Sequence, residues 1–165
     1  MNLPTRIGRG LQAGGLAGGG VAVLFLATDV VRMAPLRTVA ELIGPFRDAP
    51  PGAVSGGMTF TAVAAVAAAV ILYTLLHFGA FALLGVAAAW VVPGATFWAT
   101  LARGALFGGV ACTGVFFVGR AAVGSSLTMA SASPVGLVLA NAVAGVIMAS
   151  VLAVYAHHPN DDSGG

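Results

Sequence analysis

The stretch from Ala68 to Val92, AAVILYTLLHFGAFALLGVAAAWVV, decides how the rest of the chain is read. Its twenty-five residues contain no Asp, Glu, Lys or Arg. A helix needs about 20 mostly apolar residues to cross the hydrocarbon core of a bilayer. A helix of this length on a water-soluble protein would carry a polar face, and this one has none. Trp90 marks an interface depth, and Pro93-Gly94 closes the run. The segment is expected to be a membrane-spanning helix over 68–92. The run before it, from Met58, is only mildly apolar.

Working outward, three further runs have the same character. Gly10 to Val31 follows Arg6 and Arg9, and its length and the bulky Phe25-Leu26 pair distinguish it from a cleaved leader. Between Arg103 and Arg120 lie 16 uncharged residues, which span if both arginines snorkel. Pro134 to Tyr155 carries no charge. The fold class expected is all-α: a four-transmembrane-helix bundle with helices at about 10–31, 68–92, 104–122 and 134–156, forming one integral domain over 1–156. In the first loop, Leu36, Val39, Ala40 and Ile43 follow an i, i+3, i+4, i+7 pattern, with Thr38 and Glu41 at capping-box spacing. That predicts a short amphipathic helix at 36–43, lying on the membrane surface. Pro50-Pro51-Gly52 reads as a turn, and 157–165 as a disordered polar tail.

Composition agrees. A globular chain of 165 residues would carry roughly forty charged side chains. This one has seven Arg, five acids and no Lys, with 59% apolar residues and a mean hydropathy of +1.00. A soluble enzyme, a disordered chain and a nucleic-acid binder are therefore not expected; the lipid bilayer is the expected surrounding, in a bacterial cytoplasmic membrane. Cys112 stands alone, so no intrachain disulfide or zinc cluster can form. There is no phosphate loop, no zincin pair and no Gly-x-Ser-x-Gly elbow. Gly124-Ser125-Ser126 reads as a turn between helices. No catalysis and no cofactor are expected.

Small residues mark where helices touch in lipid, because they let backbones approach closely. Gly10, Gly14, Gly18 and Ala22 form one stripe on the first helix, with Gly15 and Gly19 beside it; Gly104, Gly108 and Cys112 recur on the third, and Gly136, Ala140 and Ala144 on the fourth. The first and third helices also match at an offset of 94: Arg9-Gly10 with Arg103-Gly104, Gly14-Gly15 with Gly108-Gly109, then Ala17, Gly20 and Val21 with Ala111, Gly114 and Val115. Seven identities in thirteen positions would make the chain two parallel helical hairpins.

The candidate polar residues are Asp29, Tyr73, His77 and Asn141. At 1.5 Å per residue all four fall within about 14 Å of the outer surface. Polar groups at membrane depth are costly and need partners or a water-filled recess, so they are expected to turn inward as one outer-half cluster. His157 and His158 lie at the opposite end from His77, which argues against a bis-histidine haem. Asp29, Pro35-Leu36, Tyr73-Thr74 and His77-Phe78 together resemble a pattern in an uncharacterised group of small multi-pass bacterial membrane proteins. The resemblance covers about the first 90 residues and implies four helices but no activity.

Two function classes are thus in play. The first is a non-catalytic packing or accessory subunit, partnered by other membrane subunits or by copies of itself. The second is a small transporter or channel working through Asp29 and His77. Arg9 and Arg103 both precede a glycine-rich helix, which places both termini in the cytoplasm. Reporter fusions after Gly165 and within Pro50-Pro51-Gly52 should accordingly read cytoplasm and exterior; two sites on one side would overturn the four-span topology.

Overall fold

The computed structural model describes residues 3–33, 60–123 and 134–157, and these are helical apart from short connections. Helix α1 runs Leu3–Val31 and α2 runs Phe60–Val91. Helix α3 begins as Phe97–Phe107, widens into a π-helical turn at Gly108–Cys112 and resumes as Thr113–Val123. Helix α4 is Pro134–His157. Four segments, Leu3–Val31, Val70–Val91, Phe97–Gly119 and Pro134–Ala156, are long and apolar enough to cross a membrane. The region 36–43, with its expected surface helix, and the tail from 158 onward lie outside the described residues.

Three helix ends differ from the sequence expectation, each for a local reason. α1 starts at Leu3 rather than near Gly10. Nothing in 3–9 breaks a helix beyond its first turn, and both arginines find aromatic partners: Arg6 lies 4.6 Å over the Trp90 ring and Arg9 4.8 Å over Tyr155. Stacked guanidinium groups of this kind stabilise by about 0.5–1 kcal/mol each. α2 starts at Phe60, so its mildly apolar first third is helical too, and Val70–Val91 within it is long and apolar enough to span. α3 starts at Phe97 rather than 104, because Thr96 caps it. The Thr96 hydroxyl accepts from the Ala99 amide at 3.2 Å, and the Thr100 hydroxyl accepts from the Gly94 amide at 3.0 Å. Arg103 then sits inside the helix and donates back to the Pro93 carbonyl at 2.9 Å. At the other end of α1, Met33 adopts a positive φ of 55°, the left-handed geometry that closes many helices.

Packing rests on two glycine crossings. At the first, Gly10 and Gly14 of α1 meet Gly85 of α2: a Cβ on Gly10 would fall 2.6 Å from the Val86 Cα, and one on Gly14 would strike the Phe81 carbonyl. At the second, Gly104 and Gly108 of α3 meet Gly145 of α4: a Cβ on Gly108 would fall 2.7 Å from the Gly145 amide nitrogen and strike the Asn141 carbonyl. The correspondence is position for position, with Gly10, Gly14, Phe81 and Gly85 answering to Gly104, Gly108, Asn141 and Gly145. Around these crossings α2 and α4 also match at an offset of 60, sharing Ala82/Ala142, Gly85/Gly145, Val86/Val146, Ala89/Ala149 and Val91/Val151.

All three main interfaces are antiparallel. Gly10 is near Val86 while Gly18 is near Phe78, and Arg9 reaches Tyr155 while Gly20 faces Ile147. The N-terminal end of α1 and the C-terminal end of α4 therefore share one end of the molecule. The buried core gathers Ala13, Ala17, Phe81, Ala88, Ala144 and Met148. Gly10, Gly14 and Gly18 are buried as the stripe expects, but Ala22 is exposed. A Cβ on Gly15 or Gly19 would meet nothing within 4 Å, so the neighbouring stripe makes no crossing.

These contacts set a test. Gly14→Leu and Gly145→Leu each force two backbones apart, and each should lower stability in detergent by at least about 2 kcal/mol. Gly15→Leu, at an open position, should leave the melting curve unchanged.

Candidate functional site

The candidate polar side chains fall into local pairings. His77 stands on α2 one turn from Phe81 and faces α1. Its Nε2 lies 3.1 Å from the Gly18 carbonyl, and its Nδ1 lies 3.5 Å from the Tyr73 hydroxyl. A carbonyl oxygen only accepts, so Nε2 carries the proton in the neutral ring. Nδ1 is then the acceptor for Tyr73, four residues earlier on the same helix face. Gly18 lets α2 come close at this level, for its missing side chain leaves room for Phe81 and Phe78 on either side of the imidazole's helix turn. A Cβ on Gly18 would lie 3.2 Å from the Phe81 Cβ. Aromatic rings enclose the imidazole, with centroids 5.5 Å away at Tyr73, 5.4 Å at Phe78 and 4.9 Å at Phe81.

Asn141 belongs to the other hairpin. Its Nδ2 donates to the Thr113 hydroxyl at 3.0 Å, and both residues are buried between α3 and α4. Thr113 owes its position to the π-helical turn just before it. The wider turn inserts one residue into the helical count and rotates the rest of the helix by about 100°. Phe81 packs against both Gly14 and Gly18; its counterpart Asn141 meets Gly108 and then Thr113, one residue beyond the sequence match to Gly18. Cys112 is buried within the same turn.

Asp29 is buried, at 2% exposure, on the last turns of α1, and Arg32 beyond it is exposed. Both have partners. The four candidates thus divide between the hairpins: Tyr73 and His77 are joined to each other and to α1, whereas Asn141 is joined to Thr113. A third polar tie is not evident from the sequence. The Tyr155 hydroxyl donates to Gln12 Oε1 at 2.6 Å, and Arg9 donates to the Tyr155 carbonyl at 3.4 Å, linking α1 to α4. Its one sequence signal is Gln12 itself, a polar residue two positions past Gly10. The remaining hydroxyls of Thr28, Thr74 and Ser150 return to carbonyls one turn back on their own helices.

Chemically, the arrangement holds helices together. Among the described residues no group of three or more His, Cys, Asp or Glu side chains is placed to hold a metal ion. No protein-family model matches the chain, and no curated protein or solved structure matches it.

The Asn141–Thr113 bond gives the site its own test. Asn141→Leu should cost about 0.6–1.7 kcal/mol of stability in detergent, the range for hydrogen bonds between apolar-embedded helices. Thr113→Val should then add almost nothing to Asn141→Leu. Full additivity in that cycle would mean the two side chains do not act as a pair.

Proposed function

We propose that the protein is a non-catalytic, multi-pass membrane protein that serves as a packing or accessory subunit of a membrane assembly. Its four helices cross a bacterial cytoplasmic membrane as one bundle, with both termini inside and the 36–43 segment lying on the outer surface. The reading is carried by one observation above all: His77, Asn141 and Tyr155, three polar side chains within the apolar segments, are taken up in ties between helices. His77 is bonded to the Gly18 carbonyl across α1 and α2, Asn141 to Thr113 across α3 and α4, and Tyr155 to Gln12 across α1 and α4. Groups committed in this way stabilise a fixed helix arrangement. A path for ions or protons instead needs polar groups that exchange partners as the substrate passes.

Further support comes from the arginines. Arg6, Arg9 and Arg103 sit at the end of the molecule where α1 begins and α4 finishes, next to Trp90, Tyr155 and Pro93. Basic and aromatic residues at one helix end favour the cytoplasmic interface.

Purification from native membranes in mild detergent, followed by mass spectrometry, is the deciding experiment. The accessory reading expects the chain to be recovered within a larger assembly. It also expects His77→Gln to keep that assembly while lowering its thermal stability by about 1 kcal/mol, the loss of one interhelical hydrogen bond. Proton-coupled flux in liposomes containing only this chain, abolished by His77→Gln, would replace this reading with the transporter.

A further inference from the structure

The end of the molecule where α1 begins and α4 finishes gathers three cations and, among the described residues, no anion. Arg6 and Arg9 stand one turn apart on α1, a spacing at which like charges repel. Arg103 folds back to the connection after α2. The described residues contain one acid, Asp29, and it lies about 30 Å farther along α1. The three arginines are not equally provided for. Arg9 is taken up by α4, over the Tyr155 ring and on the Tyr155 carbonyl. Arg103 uses one N–H on the Pro93 carbonyl and remains exposed. Arg6 is the least satisfied. It is half-buried, with its guanidinium 4.6 Å over the Trp90 ring, and its Nε is shut away from solvent with no acceptor among the described residues.

A guanidinium stacked on an aromatic face keeps its N–H donors in its own plane, and that fork matches the oxygens of a phosphate. With Nε enclosed, the terminal nitrogens of Arg6 are the ones placed to meet such an anion. A cation with one N–H enclosed and unbonded is costly alone, and an anion at its other nitrogens offsets that cost. The depth is suitable too. Trp90 on the last turn of α2 and Trp98 on the first turn of α3 are 54% and 76% exposed. Exposed indoles belong at headgroup level, so the neighbouring arginines lie where lipid phosphates lie. α3 also begins here, with the positive end of its dipole outward. We infer that Arg6, stacked on Trp90 and supported by Arg103, binds the phosphate of an anionic phospholipid at the end of α2. A zwitterionic headgroup brings its own ammonium group, which this cluster repels, so an acidic headgroup is preferred. The inference rests on the membrane-spanning reading and not on the accessory role, and the purified chain alone is enough to test it.

The test is native mass spectrometry of the purified full chain in mild detergent, doped with equal amounts of phosphatidylglycerol and phosphatidylcholine of the same acyl chains. Phosphatidylglycerol adducts should exceed phosphatidylcholine adducts at least about fivefold, the factor expected for one arginine at a membrane surface. Arg6→Lys keeps the charge but loses the planar fork, and Arg6→Gln loses both; each should bring the ratio close to one. Arg103→Gln should lower it partway. Arg32→Gln, which removes a charge at the opposite end of α1, should leave it unchanged. The ratio is read within one variant, so a less stable fold does not mimic the loss. A ratio kept in Arg6→Lys, or lost as fully in Arg32→Gln, would overturn the inference in favour of diffuse attraction. Thermal unfolding adds a second arm: phosphatidylglycerol should raise the melting temperature, and inorganic phosphate should not. Equal stabilisation by inorganic phosphate would make the ligand a soluble anion and refute the lipid. A ratio near one that rises in Asp161→Asn with Asp162→Asn would give Arg6 to the chain's own acids, and a ratio near one in both forms would mean no anion site; either result refutes the inference.

Discussion

The rest of the structure depends on backbones touching backbones. Between helices this apolar there is no gain in moving side chains out of lipid, so association comes from van der Waals contact and from hydrogen bonds. Both grow steeply as the axes approach. Glycine at Gly10, Gly14 and Gly85, and again at Gly104, Gly108 and Gly145, removes the atoms that would keep the axes apart. Alanines then fill the flanks, with Ala13, Ala17, Ala144 and Ala149 buried around the crossings. The polar ties arise from the same closeness. His77 reaches the Gly18 main-chain oxygen of α1 where Gly14 and Gly18 let Phe81 and Phe78 of α2 lie close against that helix.

Much of this is legible in the sequence, but unevenly. The four helices come from runs without charge, and that signal is strong because lipid tolerates few exceptions. The glycine stripe on α1 and its partner on α3 are visible as spacing. What spacing does not contain is the opposite wall: Gly85 and Gly145 are isolated glycines in long apolar runs, and only the antiparallel register sets each against its pair. For the same reason sequence alone does not separate the stripe that packs from the one beside it, since Gly14 and Gly15 differ only by one step around the helix. Helix ends set by capping are the least legible. Arg103 looks like a boundary, whereas Thr96 provides the actual start and Arg103 folds back along the helix.

For the candidate site, the sequence points to Asp29, Tyr73, His77 and Asn141 as one shared recess, whereas Asn141 is bonded to Thr113 and His77 to Gly18 and Tyr73. Depth is a one-dimensional quantity, and it is depth alone that groups Tyr73, His77 and Asn141 in one half of the helices. Partnership needs angle as well as depth. On α2 the angle is set by Gly85 and Phe81, and on α4 by Gly145 and its own contact with α3. Each polar residue accordingly meets its own hairpin partner, and Asn141 finds Thr113.

That last pairing has a bearing on how the chain could have diversified. Seen as two copies of one hairpin, the halves have equal spacing in sequence yet are out of step in space beyond the π-helical turn at Gly108–Cys112. A single extra residue in the winding turned a different set of side chains toward the neighbouring helix, without moving the crossing that precedes it. The segment beyond the turn thereby presents a different lining, while the glycine contact before the turn holds the helices together. A π-turn placed just beyond a fixed crossing is in this sense a ratchet: it lets one of two matching hairpins present a different face while the other keeps the plain helical setting.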